Sequence, residues 1–358
     1  MKKNEVSILD DAEAMASVDK GNMLKVVEDL PEQVKNAMKI DPPEIDEQKP
    51  DLVVVAGMGG SAICGDIIAS WLKDRLGLPM IVVRDYALPA SVTSRSLVIA
   101  VSFSGNTEET LSAFEDAVAR NSHAVAISTG GMLKTRSEEL GVPHMTISPE
   151  EKLAPRAAVA YLLFPVISIL SAAGLVNTNE IREELDDAVK TLELIRSELR
   201  AGIEQKENLA KQLAIKLKNS SPLIYAAEPF VPAAYRWVTQ LNENSKIIAT
   251  ARALPEMNHN DIVGMTGDDN TGSYSVILLR DPGSEEERMR KRIELTKDLA
   301  FSRAAEIVEI HARGEHTLAK ILSLIYIGDY TSVYLAVLRG IDPTPVEVIE
   351  KLKELMRG

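Results

Sequence analysis

The stretch that decides the fold is SLVIAVSFSGNTEET, residues 96–110. It begins with a short apolar run, SLVIAVS at 96–102, and continues after Thr107 in a helical pattern. Similar apolar runs alternate with helical stretches at 51–57, 80–85, 123–128 and 143–148. Short, strongly apolar strands between helices are typical of a parallel sheet covered on both faces. The sequence therefore predicts a doubly wound α/β domain over residues 41–176.

The same alternation returns in the second half of the chain. Strands are predicted at 222–228, 273–281 and 305–312, and helices around 232–244, 285–303 and 315–340. We expect an N-terminal helical segment at 1–40, a connecting helix at 177–218 and a second domain at 219–358. The fold class is therefore α/β, with two doubly wound domains and parallel sheets. The halves look like a distant internal duplication, although no residue-level repeat proves one.

Composition excludes several classes of protein. The 358 residues carry a net charge of −13, which argues against nucleic-acid binding because phosphate backbones require clustered Lys and Arg. A single cysteine, Cys64, excludes an internal disulfide and a Cys-rich metal site. The first residues, MKKNEVSILDDAEAM, have no apolar core of the signal-peptide type. We therefore expect a cytoplasmic protein.

One uncharged stretch, AAVAYLLFPVISILSAAGLV at 157–176, is long enough to span a membrane. Its central Pro165, its alanines and serines and the α/β pattern on both sides favour a helix buried between layers. We expect no contact with a membrane.

A glycine-rich turn, GMGGSAICGD at 57–66, follows the first predicted strand. Glycines let a backbone turn tightly and approach a ligand closely. The spacing departs from the dinucleotide fingerprint because Ala62 stands where a glycine is required, and no Walker lysine follows. A tight turn with Ser61 as helix cap remains an alternative to a ligand site.

The hydroxyl-rich segment SFSGNTEET also lies where a strand ends and a helix begins. Helix N-termini bind phosphate through free N–H groups and partial positive charge. Ser102, Ser104 and Thr107 would add hydroxyl donors, and Gly105 would let the loop wrap. Alternatively, Thr107 caps the helix and the serines close a turn. Spacing alone does not separate these two interpretations.

Together, GMGGSA and SFSGNTEET resemble the sugar isomerase (SIS) domain, which binds phosphosugars. Five further pieces, NMLKVVEDLPEQV, LAPR, QLNENSK, NHND and DPTPVEVIEKLK, resemble the archaeal family of bifunctional phosphoglucose/phosphomannose isomerases. The pieces occur in the family's order and cover nearly the whole chain. The resemblance implies flavodoxin-like domains, no cofactor and no metal.

The resemblance also implies roles for individual residues. It makes Glu243 the carboxylate base, His259 the residue that assists ring opening, and Arg156 the cation that stabilises the intermediate. Thr344 matches a threonine associated with tolerance of both C2 epimers. Lys351 fits the spacing of a lysine that assists ring opening, and Lys353 is the alternative. The implied substrate-binding residues are Gly59, Gly60, Ser61, Ser102, Ser104, Thr107 and Thr344.

We therefore expect an aldose–ketose isomerase that acts on phosphorylated hexoses as a homodimer with active sites shared between subunits. Three alternatives remain. A non-catalytic phosphosugar sensor would need a partner surface or a DNA-binding module, and the chain has no basic helix-turn-helix segment. An amidotransferase-type isomerase half would need a glutamine-hydrolysing domain. A metal-dependent isomerase would need a histidine cluster beside His259, which the sequence lacks.

Overall fold

The computed structural model describes residues 7–45, 49–150, 153–267 and 271–356, so residues 1–6 of the predicted N-terminal segment lie outside the described part. Its strands are Leu52–Ala56 (β1), Met80–Val83 (β2), Ser96–Val101 (β3), His123–Ser128 (β4), His144–Thr146 (β5), Ser221–Ala227 (β6), Thr250–Leu254 (β7), Tyr274–Arg280 (β8) and Glu306–His311 (β9). Its helices are Ala12–Val18 (α1), Met23–Glu28 (α2), Leu30–Ala37 (α3), Gly60–Trp71 (α4), Glu108–Ala119 (α5), Gly131–Leu140 (α6), Val159–Ala172 (α7), Thr178–Leu199 (α8), Leu209–Leu217 (α9), Val231–Ser245 (α10), Asp261–Gly264 (α11), Glu287–Leu299 (α12), Thr317–Leu338 (α13) and Glu347–Met356 (α14).

The first sheet has the strand order β2-β1-β3-β4-β5, and each neighbouring pair is parallel. This order is that of flavodoxin-like folds, and it confirms the predicted fold class. Val54 and Ala100 belong to the same buried cluster as Phe114 of α5. Val55 points to the other face, where a Cβ on Gly65 of α4 would lie 2.9 Å from its Cβ. Helices therefore cover both faces, which explains why the strands are apolar throughout.

The second sheet has the strand order β7-β6-β8-β9, again with parallel pairs. It repeats the order of the first four strands of the first sheet, as a duplication would. The edge strand β7, TARAL, was not predicted. Its exposed Arg252, together with the half-buried Thr250 and Ala253, interrupts the apolar run that identifies a buried strand.

Two helices are strongly apolar. The predicted buried helix is α7, and most of its residues are buried around Pro165, so that prediction is confirmed. Within the described residues one helix, α13, is long and apolar enough to cross a membrane, and 94% of its apolar window is buried inside the structure. Burial on all sides is typical of a core helix, which needs no polar face.

The chain packs as two compact units. One contains described residues of Met1–Glu28, Thr191–Gly314 and Lys320–Gly358, and it holds the second sheet. The other contains described residues of Asp29–Lys190 and Glu315–Ala319, and it holds the first sheet. The predicted division at 40, 176 and 218 stays a prediction about which segments fold independently.

Candidate active site

The strand order of the first sheet reverses between β1 and β3. From β1 the chain moves outward to β2, whereas from β3 it moves the other way to β4. In open α/β sheets, ligands bind beyond the carboxyl ends of the strands at such a reversal. The glycine-rich turn follows β1 and the hydroxyl-rich segment follows β3, so both predicted binding segments lie at this point.

The turn after β1 depends on its glycines. Gly59 has φ +51° and forms the N-cap of α4, a conformation that side chains with a Cβ rarely adopt. A Cβ on Gly57 would lie 2.8 Å from the carbonyl oxygen of Val101, and a Cβ on Gly60 would lie 3.1 Å from that of Pro155. The turn therefore lets two other segments of backbone approach it closely.

Hydrogen bonds join the loop after β3 to this turn. The Phe103 N–H donates to Ser61 Oγ at 3.3 Å, and the Gly105 N–H donates to Ser102 Oγ at 3.1 Å. Ser102 Oγ lies 3.0 Å from Thr107 Oγ1. Thr107 is the N-cap residue of α5, yet within the described residues its hydroxyl makes no capping bond. The α5 N–H groups and these hydroxyls therefore meet at one site, as an oxyanion ligand requires.

Ser104 closes the exposed side of this loop. Its hydroxyl accepts a hydrogen bond from the Asn106 N–H at 3.3 Å, and the residue is exposed. Glu108, one of two acids in the first turn of α5, is exposed as well. Glu108 therefore has solvent around it and need not oppose an anion in the loop.

Sequence reasoning missed a third loop, STGG at 128–131, which follows β4. The Thr129 N–H donates to the Phe103 carbonyl at 3.0 Å, and a Cβ on Gly105 would lie 1.8 Å from the carbonyl oxygen of Gly130. Ser128 Oγ in turn lies 2.7 Å from Nε2 of His144. The loop thus packs against the hydroxyl-rich segment and holds it in place. Its glycines at the carboxyl end of a strand were the available sequence signal.

Arg156 also lies at this end of the sheet. It belongs to a 3-10 helix, Pro155–Ala157, that precedes α7, and only 4% of its surface is exposed. A Cβ on Gly60 would lie 3.5 Å from the Arg156 Cα. The structure therefore brings the backbone of Arg156 against the glycine turn. A buried guanidinium requires an anion or several acceptors around it.

Polar side chains fix α10, the helix of Glu243, against α13. Arg236 Nη2 donates to Asp329 Oδ2 at 2.7 Å, and Gln240 Nε2 donates to Asp329 Oδ1 at 3.1 Å. One turn later, Asn244 Nδ2 donates to Ser332 Oγ at 2.9 Å. All five residues are buried. Removing either partner of such a pair would leave an unpaired polar group in the core, so the position of α10 is tightly determined.

Glu243 lies next to this row, on a half-buried position near the end of α10. Lys246 Nζ donates to the Glu243 carbonyl oxygen and, at 3.2 Å, to that of Pro343. Thr344 follows directly and is half-buried. A Cβ on Gly21 would lie 2.0 Å from Thr344 Oγ1. The backbone segments of two predicted site residues, Glu243 and Thr344, therefore lie close together, on either side of the Lys246 ammonium group.

The remaining predicted residues lie on exposed positions. His259 is the last residue of a 3-10 helix, Glu256–His259, that follows β7. Lys351 and Lys353 are both exposed on α14, so burial does not distinguish them. The predicted phosphate residues and Arg156 belong to the unit with the first sheet. Glu243, His259, Thr344 and both lysines belong to the unit with the second sheet.

Each half of the chain matches a known protein family. Residues 48–164 match the SIS domain family. Residues 206–356 match the family described as the bacterial phospho-glucose isomerase C-terminal SIS domain. The two matches each cover one of the parallel sheets.

Similar proteins extend over nearly the whole chain. A bifunctional phosphoglucose/phosphomannose isomerase of Caldicellulosiruptor bescii is 39% identical over 92% of this chain and 98% of its own. One of Thermoplasma volcanium is 36% identical over 86% of this chain and 91% of its own. A glucose-6-phosphate isomerase like protein of Thermus thermophilus has a similar fold, with a TM-score of 0.63, 22% identity and coverage of 97% and 98% of the two chains.

Proposed function

The chain belongs to the family of bifunctional phosphoglucose/phosphomannose isomerases, and we propose that it interconverts glucose 6-phosphate and mannose 6-phosphate with fructose 6-phosphate. The observation that supports this most directly is the meeting of Ser61, Ser102, Thr107 and the buried Arg156 at the reversal of the first sheet. Such a site fits an oxyanion ligand better than a nucleotide, since the nucleotide fingerprint is absent.

We propose that the 6-phosphate of the sugar binds where α5 begins. The N–H groups of the first turn of α5 and the hydroxyls of Ser102, Ser104 and Thr107 would donate to its oxygens. The turn at Gly59 and Gly60 would let the backbone approach the ligand. Each of these groups binds the substrate without taking part in the chemistry.

The chemistry needs three further groups. Isomerisation opens the sugar ring, removes the proton from C2 of the aldose and returns a proton to C1 through an enediolate. Glu243 would take and return the carbon-bound proton, because a carboxylate is a base that can act on both carbons in turn. His259 would deliver a proton to the ring oxygen, since a histidine side chain can both donate and accept a proton. Arg156 would stabilise the negative oxygen of the enediolate.

Two residues complete the proposal. Thr344 would lie beside C2, so that both the glucose and the mannose configuration are accepted. Lys351, with Lys353 as the alternative, would assist ring opening. We also propose a homodimer whose subunits share active sites, with phosphorylated hexoses as its substrates. The molar mass in solution tests the dimer.

The direct test is turnover. Purified protein is supplied with glucose 6-phosphate or mannose 6-phosphate, and fructose 6-phosphate is measured by a coupled assay with and without a chelator. We expect turnover of both aldoses, unchanged by the chelator. A folded protein that is stabilised by the sugar phosphates but converts neither of them would instead be a sensor.

A substitution of the base tests the mechanism. We expect Glu243→Gln to lower kcat by about 10²- to 10⁴-fold, the usual contribution of a general base, and to change KM only a few-fold. The amide keeps the size of the side chain but cannot accept the proton. Glu287→Gln, at an exposed position of α12, is the control and should be fully active. Unchanged turnover of Glu243→Gln would exclude Glu243 as the base.

A further inference from the structure

Lys246 has a backbone conformation that a lysine seldom adopts. It forms the C-cap of α10 with φ 55° and ψ 42°, in the left-handed region, and its N–H donates to the Leu241 carbonyl. Glycine is the usual residue at such helix ends, because a Cβ is strained there. A strained residue at a candidate active site suggests that its side chain has a function.

The side chain of Lys246 bridges two segments that lie far apart in the sequence. Its ammonium group donates to the carbonyl oxygen of Glu243, in the last turn of α10. It also donates to the carbonyl oxygen of Pro343, at 3.2 Å. One cation therefore joins the backbone of the proposed base to the residue before Thr344.

The opposite side of Thr344 is closed by the N-terminal segment. Asp19 accepts hydrogen bonds from the N–H groups of Met23 and Leu24, both at 2.8 Å, which fixes the turn that contains Gly21. A Cβ on Gly21 would lie 2.0 Å from Oγ1 and 2.5 Å from Cβ of Thr344. Thr344 is therefore held between this turn and the end of α10.

We infer that Lys246 is a positioning residue, which fixes Thr344 relative to Glu243 and so sets the geometry in which C2 of the sugar meets the base. The inference rests on the proposed function for its catalytic consequence. Its structural part, the attachment of residues 343–344 to the end of α10, does not depend on the reaction.

Lys246→Gly separates this function from a contribution to folding. Glycine fits the left-handed backbone better than lysine does, so we expect the melting temperature to stay unchanged or to rise. We expect kcat to fall about 10- to 100-fold, because a misplacement of about 1 Å at a reacting centre has effects of this size. KM should change little, and the ratio of kcat for the two aldoses should shift because Thr344 is the proposed neighbour of C2.

Three variants serve as comparisons. Lys246→Arg keeps a cation that can donate to two carbonyl oxygens, so it should restore most of the lost kcat. Gly21→Ala pushes Thr344 from its other side and should shift the same ratio of the two aldoses. Asn121→Gly also places glycine at a left-handed position, just after α5, where φ is 56°. This variant should have the same turnover as the unmodified protein.

Hydrogen–deuterium exchange tests the structural part of the inference without any measurement of catalysis. In Lys246→Gly the amides of Asp342, Thr344 and Val346 should exchange faster than in the unmodified protein, whereas those of α10 before Leu241 should not change. Equal exchange, or equal kcat and aldose ratio in Lys246→Gly and the unmodified enzyme, would overturn the inference. If the unmodified protein converts neither aldose, the proposed function fails, while the exchange experiment still decides the structural part.

Discussion

The two parallel sheets have equivalent crevices that differ in the residues that form them. In the first sheet the strand order reverses between β1 and β3, and in the second between β6 and β8. We call the loops after β1 and β3 the first crevice and the loops after β6 and β8 the second crevice. The first consists of glycines and hydroxyls, GMGGS and SFSGNT. The second consists of EPF at 228–230 and DPGSEE at 281–286, with no glycine after β6.

The second crevice holds its own anions. Asp281 accepts hydrogen bonds from Lys320 Nζ at 2.7 Å and from the Gly283 N–H at 3.2 Å, as well as from the Ser284 hydroxyl. Burial would raise the pKa of Asp281, but the hydrogen bonds from Lys320 and Ser284 hold it below its usual range. The carboxylate is therefore ionised at neutral pH.

We propose that this difference determines where a phosphate binds. In the second crevice a carboxylate of the chain already receives the N–H and hydroxyl donors that a phosphate would need, and a second anion would be repelled. In the first crevice the donors lie at the start of α5, the backbone of Arg156 lies against the glycine turn, and Glu108 is exposed. The second crevice therefore contributes to stability, and we propose that only the first binds a ligand.

The largest effect should follow from removing Arg280, the last residue of β8, directly before the second crevice. Its guanidinium is 3% exposed and bonds Glu285 twice, at 2.8 and 2.9 Å, and Glu294 and Glu309 at 2.6 and 2.7 Å. Arg280→Met would leave the nearly buried Glu285 without this cation and would leave Glu294 and Glu309 paired with Lys297, and we expect the free energy of unfolding to fall by about 3–5 kcal/mol. Urea denaturation measures the loss.

Arg136→Met is the control for that experiment. Arg136 pairs with Glu115 and Glu139, but its side chain is 36% exposed. We expect a change of about 1 kcal/mol or less, because solvent screens exposed pairs. Equal losses in the two variants would mean that the Arg280 cluster has no special contribution to the second sheet.

A carboxylate introduced into the first crevice should make it resemble the second. In Ser104→Asp the new side chain can still accept the Asn106 N–H, so the turn should persist. Its charge would repel the phosphate, and we expect KM for both aldose phosphates to rise about 100-fold with a smaller change in kcat. Steady-state kinetics with each substrate, and inhibition by inorganic phosphate, give the measurement.

Ser104→Asn separates charge from shape in that experiment. Asparagine accepts the same hydrogen bond without a negative charge, so KM should rise only a few-fold. If Ser104→Asp and Ser104→Asn have similar KM values, the phosphate does not bind at this loop.

Local patterns predicted the first crevice well because its residues follow strands that are apolar throughout. The strands, the glycine turn and the hydroxyl segment were all found from short runs of sequence. The edge strand β7 was missed because Arg252 interrupts its pattern. The contacts of Lys246 with Pro343 and of Gly21 with Thr344 join distant segments, and no local spacing indicates them. The roles of Glu243, His259 and Lys351 came from family resemblance and stay predictions.

The smallest effect concerns His144, which supports the first crevice through Ser128. Its Nδ1 lies 3.1 Å from Thr146 Oγ1, so hydroxyls contact both ring nitrogens. Burial, and then the positive charge of Lys134, lowers the pKa of His144 below its ordinary value of 6.5. The folded protein therefore binds this proton less readily than the unfolded chain does. The resulting stabilisation is fully present above pH 6.5 and is lost as the pH falls through the range below it.

This loss of stability can be measured by comparing the unmodified protein with a variant that lacks the histidine. The free energy of unfolding in urea is determined at several values between about pH 7.5 and pH 5 for the unmodified protein and for His144→Gln, which cannot titrate there. Other groups affect both proteins alike, so the unmodified protein should lose more stability toward low pH. Parallel curves for the unmodified protein and His144→Gln would mean that the ring takes up its proton equally in the folded and unfolded states, and that the loop under the first crevice is not sensitive to pH.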